Sequence, residues 1–102
     1  MKTNRAPTHP GKLLKGELEE MEISVTQAAK DLDISRNLLH GILAETKPIS
    51  SESAVKIGKY LGNGGGLWSR MQAAYDLYQA EKKMVKTVKQ IPAAAWAMER
   101  RV

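Results

Sequence analysis

At 102 residues with a formal net charge of +5, the chain has room for one domain and a short terminal extension, and its basic balance, shared by many soluble proteins, suits an anionic partner. It contains no cysteine, which excludes disulfides and thiolate metal sites and is compatible with the cytoplasm, where we expect it. No apolar run of about 18 residues is present to span a membrane, and MKTNRAPTHP lacks the apolar stretch of a signal peptide.

Phe is absent and β-branched runs are scarce, so an all-α domain is expected. Residues 1–8 read as a flexible arm, basic at Lys2 and Arg5. Pro10 can open a first helix, because the first helical position needs no backbone N–H. Leu14, Leu18 and Met21 then recur at i, i+4 and i+7 as one apolar stripe. This helix ends in Glu17, Glu19, Glu20 and Glu22. Negative charge there opposes the helix dipole, so the cluster does not serve helix stability. It is either a solvated face partly neutralised by Lys12 and Lys15, or an acidic contact for a basic partner protein.

The segment VTQAAKDLDISRNLLHGI, Val25 to Ile42, reads as two short helices across a tight turn. Ser24 caps the first, with Gln27 as its capping-box partner, and Ser35 caps the second. Ala28, Ala29, Leu32, Ile34, Leu39 and Ile42 are spaced to turn inward, and the small Ala29 permits a close crossing. Asp33 falls where a positive φ is required, a conformation Gly adopts best and Asp tolerates. This is the outline of a helix-turn-helix.

A loop around Glu45 to Ser50 follows. Ser50 can cap a fourth helix with Ala54, Ile57 and Leu61 as its buried stripe, ended by GNGGG from Gly62. That glycine run lacks the preceding strand and following Lys-Ser/Thr of a phosphate loop, so it reads as a helix stop and flexible connection. A fifth helix runs from Leu67 to about Lys83. Leu67, Met71, Ala74 and Tyr78 form one stripe with Trp68 and Tyr75 beside it. The arc is wide enough either to close the core alone or to leave a face, Leu67, Trp68, Met71, Tyr75 and Tyr78, for a homodimer contact. After Met84, VKTVKQI can continue the helix or form a short strand, and Pro92 favours an extended Ile91. Trp96 in the tail can pack back or dock into a partner. The domain boundaries expected are 1–8 for the arm, 9–84 for the helical domain and 85–102 for the tail.

An α-helix fits the DNA major groove, and a helix-turn-helix presents its second helix there N-terminus first. With Leu39, Ile42 and Leu43 inward, the expected outward side is Arg36, Asn37, His40 and Gly41, behind Ser35. Arg36 can donate two hydrogen bonds to guanine and Asn37 can pair with adenine, while His40 can reach a base edge or phosphate. Leu38 is placed either for a thymine methyl or for partial burial. Thr26 and Gln27 lie in the first turn of the preceding helix, where free N–H groups favour a phosphate, and Lys47 is a second phosphate candidate. For Gln27 the capping box is the alternative role. His9 and His40 are the only histidines and neither has a metal-ligand or triad partner at suggestive spacing, so no catalytic site, metal or cofactor is expected.

At this point the chain resembles the HigA (VapI-like) antitoxins of the Xre/Cro-type helix-turn-helix group. The matching segments are His9-Pro10-Gly11, ISVTQAAKDLDISRN (Ile23 to Asn37), Ile49-Ser50 and LWSRMQAAYDLYQA (Leu67 to Ala80), together covering roughly residues 9–83. The chain departs from the family pattern at four places. Asp33 replaces Gly, Ala44-Glu45 replace Asn-Gly, and Gly41 replaces a longer polar residue that often reads DNA. Gly65-Gly66 replace Pro-Glu, which should loosen the start of helix five. The resemblance implies a five-helix lambda-repressor-like domain that is a homodimer on double-stranded operator DNA. It also implies repression of the chain's own operon and neutralisation of a HigB-like ribonuclease toxin, with the acidic helix end and the tail as candidate docking surfaces. The competing readings are a stand-alone repressor with the same DNA chemistry and a protein-interaction module.

Overall fold

Six α-helices follow one another in the computed structural model, which describes residues 6–94: α1 (Pro10–Glu20), α2 (Val25–Leu32), α3 (Arg36–Leu43), α4 (Ser51–Leu61), α5 (Gly65–Lys83) and α6 (Val85–Lys89). The all-α expectation holds, with one helix more than the five expected. The arm residues Lys2 and Arg5 and the tail residue Trp96 lie outside the described residues.

Side-chain caps start four of the helices. Ser24, Ser35 and Ser50 are in extended backbone, and each hydroxyl accepts the N–H three residues on, from Gln27, Leu38 and Ser53 at 3.0–3.1 Å. The first helix uses a histidine. His9 Nδ1 accepts the Gly11 N–H at 2.9 Å, and Pro10 follows as the first helical residue. A Cβ on Gly11 would lie 1.8 Å from the Ile42 carbonyl oxygen, so only glycine lets α1 meet α3 backbone to backbone. The His9 ring, itself buried, sits edge-on to Tyr75 of α5 at 4.8 Å between centroids. His9-Pro10-Gly11 is therefore a structural corner joining α1, α3 and α5.

Each of the first five helices contributes to one core. Leu14 and Leu18 come from α1, Ala28, Ala29 and Leu32 from α2, Leu39 and Ile42 from α3, Ala54 and Ile57 from α4, and Trp68 from α5. Met21, expected in the α1 stripe, is instead 46% exposed. The helix stops at Glu20 and the chain reverses through Glu22 at φ 57°. Ile23, whose N–H bonds the Leu18 carbonyl at 2.9 Å, packs on the core in its place.

The α2–α3 turn passes through Asp33 at φ 55°, ψ 50°, the left-handed conformation expected. Its geometry is held by Ile34 N–H to the Ala29 carbonyl at 3.1 Å and by Lys56 Nζ of α4 to the Asp33 carbonyl at 3.0 Å. The α4–α5 connection is tighter than the flexible link expected. A Cβ on Gly58 would fall 2.1 Å from the Gly64 carbonyl carbon, so the glycine run lies directly on α4. The start of α5, expected to be loose, is packed for the same reason.

Trp68 corrects the largest expectation about α5. It is the largest fully buried side chain of the domain, and its indole N–H donates to Asn63 Oδ1 at 2.8 Å. It belongs to the core and is unavailable to a dimer partner. Leu67, Met71, Tyr75 and Tyr78 stay half-buried, and Ala74 is exposed. Past Tyr78 every described residue is exposed, so the end of α5 and all of α6 stand clear of the core.

Two substitutions test this packing by thermal unfolding. Gly58→Ala forces α4 away from Gly64 and should cost about 1–3 kcal/mol by overpacking. Trp68→Ala removes the central side chain and should cost about 3–5 kcal/mol. An unchanged melting temperature for Gly58→Ala would mean that the α4–α5 approach is not close.

Candidate nucleic-acid interface

α3 is anchored from below and capped from behind. Leu39 and Ile42 are fully buried, Leu38 and Leu43 pack partly against the core, and Ser35 holds the first turn. What remains outward is Arg36, Asn37 and His40, all exposed and spaced i, i+1, i+4 on one side of the helix. Arg36 sits at the first helical position, where the helix dipole disfavours a cation. The residue type there works against helix stability, which points to contact with something outside the chain.

Gly41 corrects the sequence reading. It is buried, not outward, because the chain after α3 folds back over it. Thr46 and Lys47 N–H both bond the Gly41 carbonyl, at 2.9 and 3.1 Å, and the Lys47 stem lies where a Cβ on Gly41 would come within 2.5 Å. The missing side chain thus makes room for Lys47, a half-buried residue whose stem lies across the end of α3. Glu45, at φ 63°, makes the reversal where a glycine would be unstrained.

Thr26 and Gln27 are exposed in the first turn of α2. The capping box forms by half only. Ser24 accepts from the Gln27 backbone, but the Gln27 side-chain amide donates to Asp31 Oδ1 at 2.7 Å, one turn along α2. Asp31 Oδ2 in turn accepts the Tyr60 hydroxyl of α4 at 2.5 Å. A chain of three side chains therefore orients Gln27 from the body of the domain. Sequence reasoning missed Asp31 and Tyr60. The i, i+4 spacing of Gln27 and Asp31 was visible, but the third member is 29 positions away.

The network perturbs both titrating groups. The Tyr60 hydroxyl first, then the Gln27 amide, hold Asp31 below the ordinary carboxylate value of 3.8, so it stays ionised at neutral pH. Burial first, then the hydrogen bond to Asp31, pushes the Tyr60 phenol up to about 12. A second network holds the loop that carries Lys47. Ile49 N–H donates to buried Gln72 Oε1 at 2.8 Å, and Gln72 Nε2 donates to Asp76 Oδ1 at 2.9 Å. Helix α5 thereby fixes the path of the chain out of α3. Among the described residues no group of three His, Asp or Glu side chains is placed to hold a metal ion. No described helix is long and apolar enough to cross a membrane.

No family model matches the chain. Individual proteins do. Virulence-associated protein A′ of Dichelobacter nodosus is 37% identical over 84 residues, covering 81% of this chain and 73% of that protein. The structure of an addiction module antidote protein of a HigA family from Coxiella burnetii superposes with a TM-score of 0.81 at 33% identity, covering 87% of this chain and 99% of that one. The Pseudomonas aeruginosa antitoxin HigA, solved with the higBA promoter, superposes with a TM-score of 0.80 at 31% identity, covering 84% and 96%.

Tyr60→Phe tests the orienting chain. Without the hydroxyl, the Asp31 carboxyl should titrate closer to 3.8, read from its carboxyl carbon shift by NMR. The signs differ at the two ends of the pH scale. The lowered Asp31 value contributes stability above 3.8 that is lost as pH falls through its folded value. The raised Tyr60 value contributes stability below its ordinary 10.0 that is lost as pH rises through about 12. The stability gap between wild type and Tyr60→Phe should therefore narrow at both extremes.

Proposed function

The chain belongs to the HigA (VapI-like) family of helix-turn-helix antitoxins and regulators, and from that membership we propose that it binds operator DNA as a homodimer, represses its own operon and neutralises a HigB-like ribonuclease toxin in the cytoplasm. The observation that carries the DNA half is the outward side of α3. Arg36, Asn37 and His40 stand exposed together on a helix whose opposite side is fully packed. In this reading Arg36 takes guanine and Asn37 adenine, with His40 one turn further in and Leu38 beside a thymine methyl. Ser35, Thr26, Gln27 and Lys47 hold phosphates, which fix register without reading sequence. The P. aeruginosa relative, solved with its promoter, supports this assignment by likeness of fold.

The dimer half places Leu67, Met71, Tyr75 and Tyr78, half-buried along α5, against the same residues of a second copy. Two recognition helices then lie about one turn of DNA apart, roughly 34 Å. The toxin half is supported by family membership alone.

Selection of bound duplexes from a random pool tests the proposal. The expected product is an inverted repeat with half-sites about 10 base pairs apart, whereas weak, motif-free binding lost at moderate salt would leave only non-specific affinity. Arg36→Ala should cost about 1–3 kcal/mol on the selected site and relax one base position. Lys47→Ala should weaken all duplexes alike and flatten the salt dependence by about one unit of slope. Co-purification with a small basic ribonuclease, and loss of its cleavage activity in the complex, tests the toxin half.

A further inference from the structure

Of the eight large hydrophobic side chains exposed among the described residues, five lie in one stretch: Leu77, Met84, Val85, Val88 and Ile91. Leu77 lies on α5, Met84 at the break between α5 and α6, Val85 and Val88 on α6 and Ile91 just past its end. The arm from Glu81 to Ile91 is also basic, with Lys82, Lys83, Lys86 and Lys89 against one glutamate. A five-residue helix such as α6 is not stable alone in water, since helix formation needs tertiary packing at this length. The arm requires a surface, and the described residues offer it none.

A surface of opposite character lies between α1 and α5. It is a groove of about 510 Å³ lined by Leu13, Gly16 and Met71 and edged by Glu17 and Glu20, with Thr8 and Lys12 at its margin. A Cβ on Gly16 would meet nothing within 4 Å, so the floor is open. The acidic run Glu17, Glu19, Glu20 and Glu22 continues past it, against the α1 dipole.

We infer that the basic, apolar arm of one copy docks in the acidic, apolar α1–α5 groove of a second copy, reciprocally. This rests on the homodimer reading above and adds a second contact to it. Met84, Val85 and Val88 reach the groove floor, and Lys82, Lys86 and Lys89 meet the glutamates at its rim.

Because the chain has no native cysteine, disulfide trapping between two differently tagged copies tests the contact cleanly. One copy carries Gly16→Cys and the other Val85→Cys or Val88→Cys. Val55→Cys, 66% exposed on α4, replaces the arm cysteine as the control. Cross-linking should exceed the control about tenfold or more, since docking raises the local thiol concentration. Light scattering of the unmodified chain separates the two ways to fail. A monomer at all concentrations overturns the dimer and the arm contact together. A dimer whose Gly16 and arm cysteines cross-link no better than the control overturns the arm contact alone. A chain with both cysteines that closes only on itself overturns the contact between copies in the same way. A charge reversal, Glu17→Lys with Glu20→Lys, should raise the dimer dissociation constant about tenfold, and mixing with Lys82→Glu, Lys86→Glu chains should recover part of the loss.

Discussion

The left-handed turn at Asp33 is the constraint on which the rest depends. It sets the angle between α2 and α3, and so decides which side of α3 faces out. Three contacts fix it. The Ile34 N–H closes on the Ala29 carbonyl, the small Ala29 side chain lets the helices cross, and Lys56 reaches from α4 to the Asp33 carbonyl. A non-glycine residue at φ 55° costs free energy locally. The turn persists because neighbours on α2 and α4 together over-determine it. Arg36, Asn37 and His40 are thereby presented on a rigid element, which limits the ordering cost of any contact they make.

α4 and α5 extend that rigidity to the ends of the presented surface. Tyr60 on α4 holds Asp31, and Asp31 holds Gln27 at the α2 N-terminus. Gln72 on α5 holds the Ile49 N–H, and so the loop from which Lys47 rises. Both anchoring helices are locked to each other by the Gly58–Gly64 approach and by Trp68. A substitution deep in this pair therefore reaches the outward side of α3 through its supports, although it touches none of the exposed residues.

Most of the local architecture was legible because it is encoded locally. Ser24, Ser35, Ser50 and Asp33 each act within three to five residues, and helical spacing identified Leu14, Leu39, Ile42 and Ile57 as core. Errors arose where a distant segment decided. Trp68 looked like one residue of a wide apolar arc, but the core around it is completed by α1, α2, α3 and α4. Gly41 fell on the outward side by spacing, and is covered by a Lys47 stem that returns from six residues on. Gln27 matched a capping box, but a competing acceptor on Asp31, itself tied to α4, drew its side chain away. His9 had no partner in the sequence because a histidine cap and an edge-on tyrosine leave no periodic trace. The outward placement of Arg36, Asn37 and His40 was legible, since it follows from the core positions on the same short helix.

Charge along this chain is arranged against local helix stability in two places. Arg36 stands at the positive end of α3, and Glu17, Glu19 and Glu20 stand toward the negative end of α1. At α3 the cation faces outward with polar neighbours, as suits a polyanion. At α1 the carboxylates edge an apolar groove, and a polyanion would be repelled there. The two helix ends thus call for partners of opposite charge, and the basic arm beyond Tyr78 has the sign opposite to the α1 glutamates. Segregating the charges in this way also keeps the glutamates off the outward side of α3, where they would oppose phosphate.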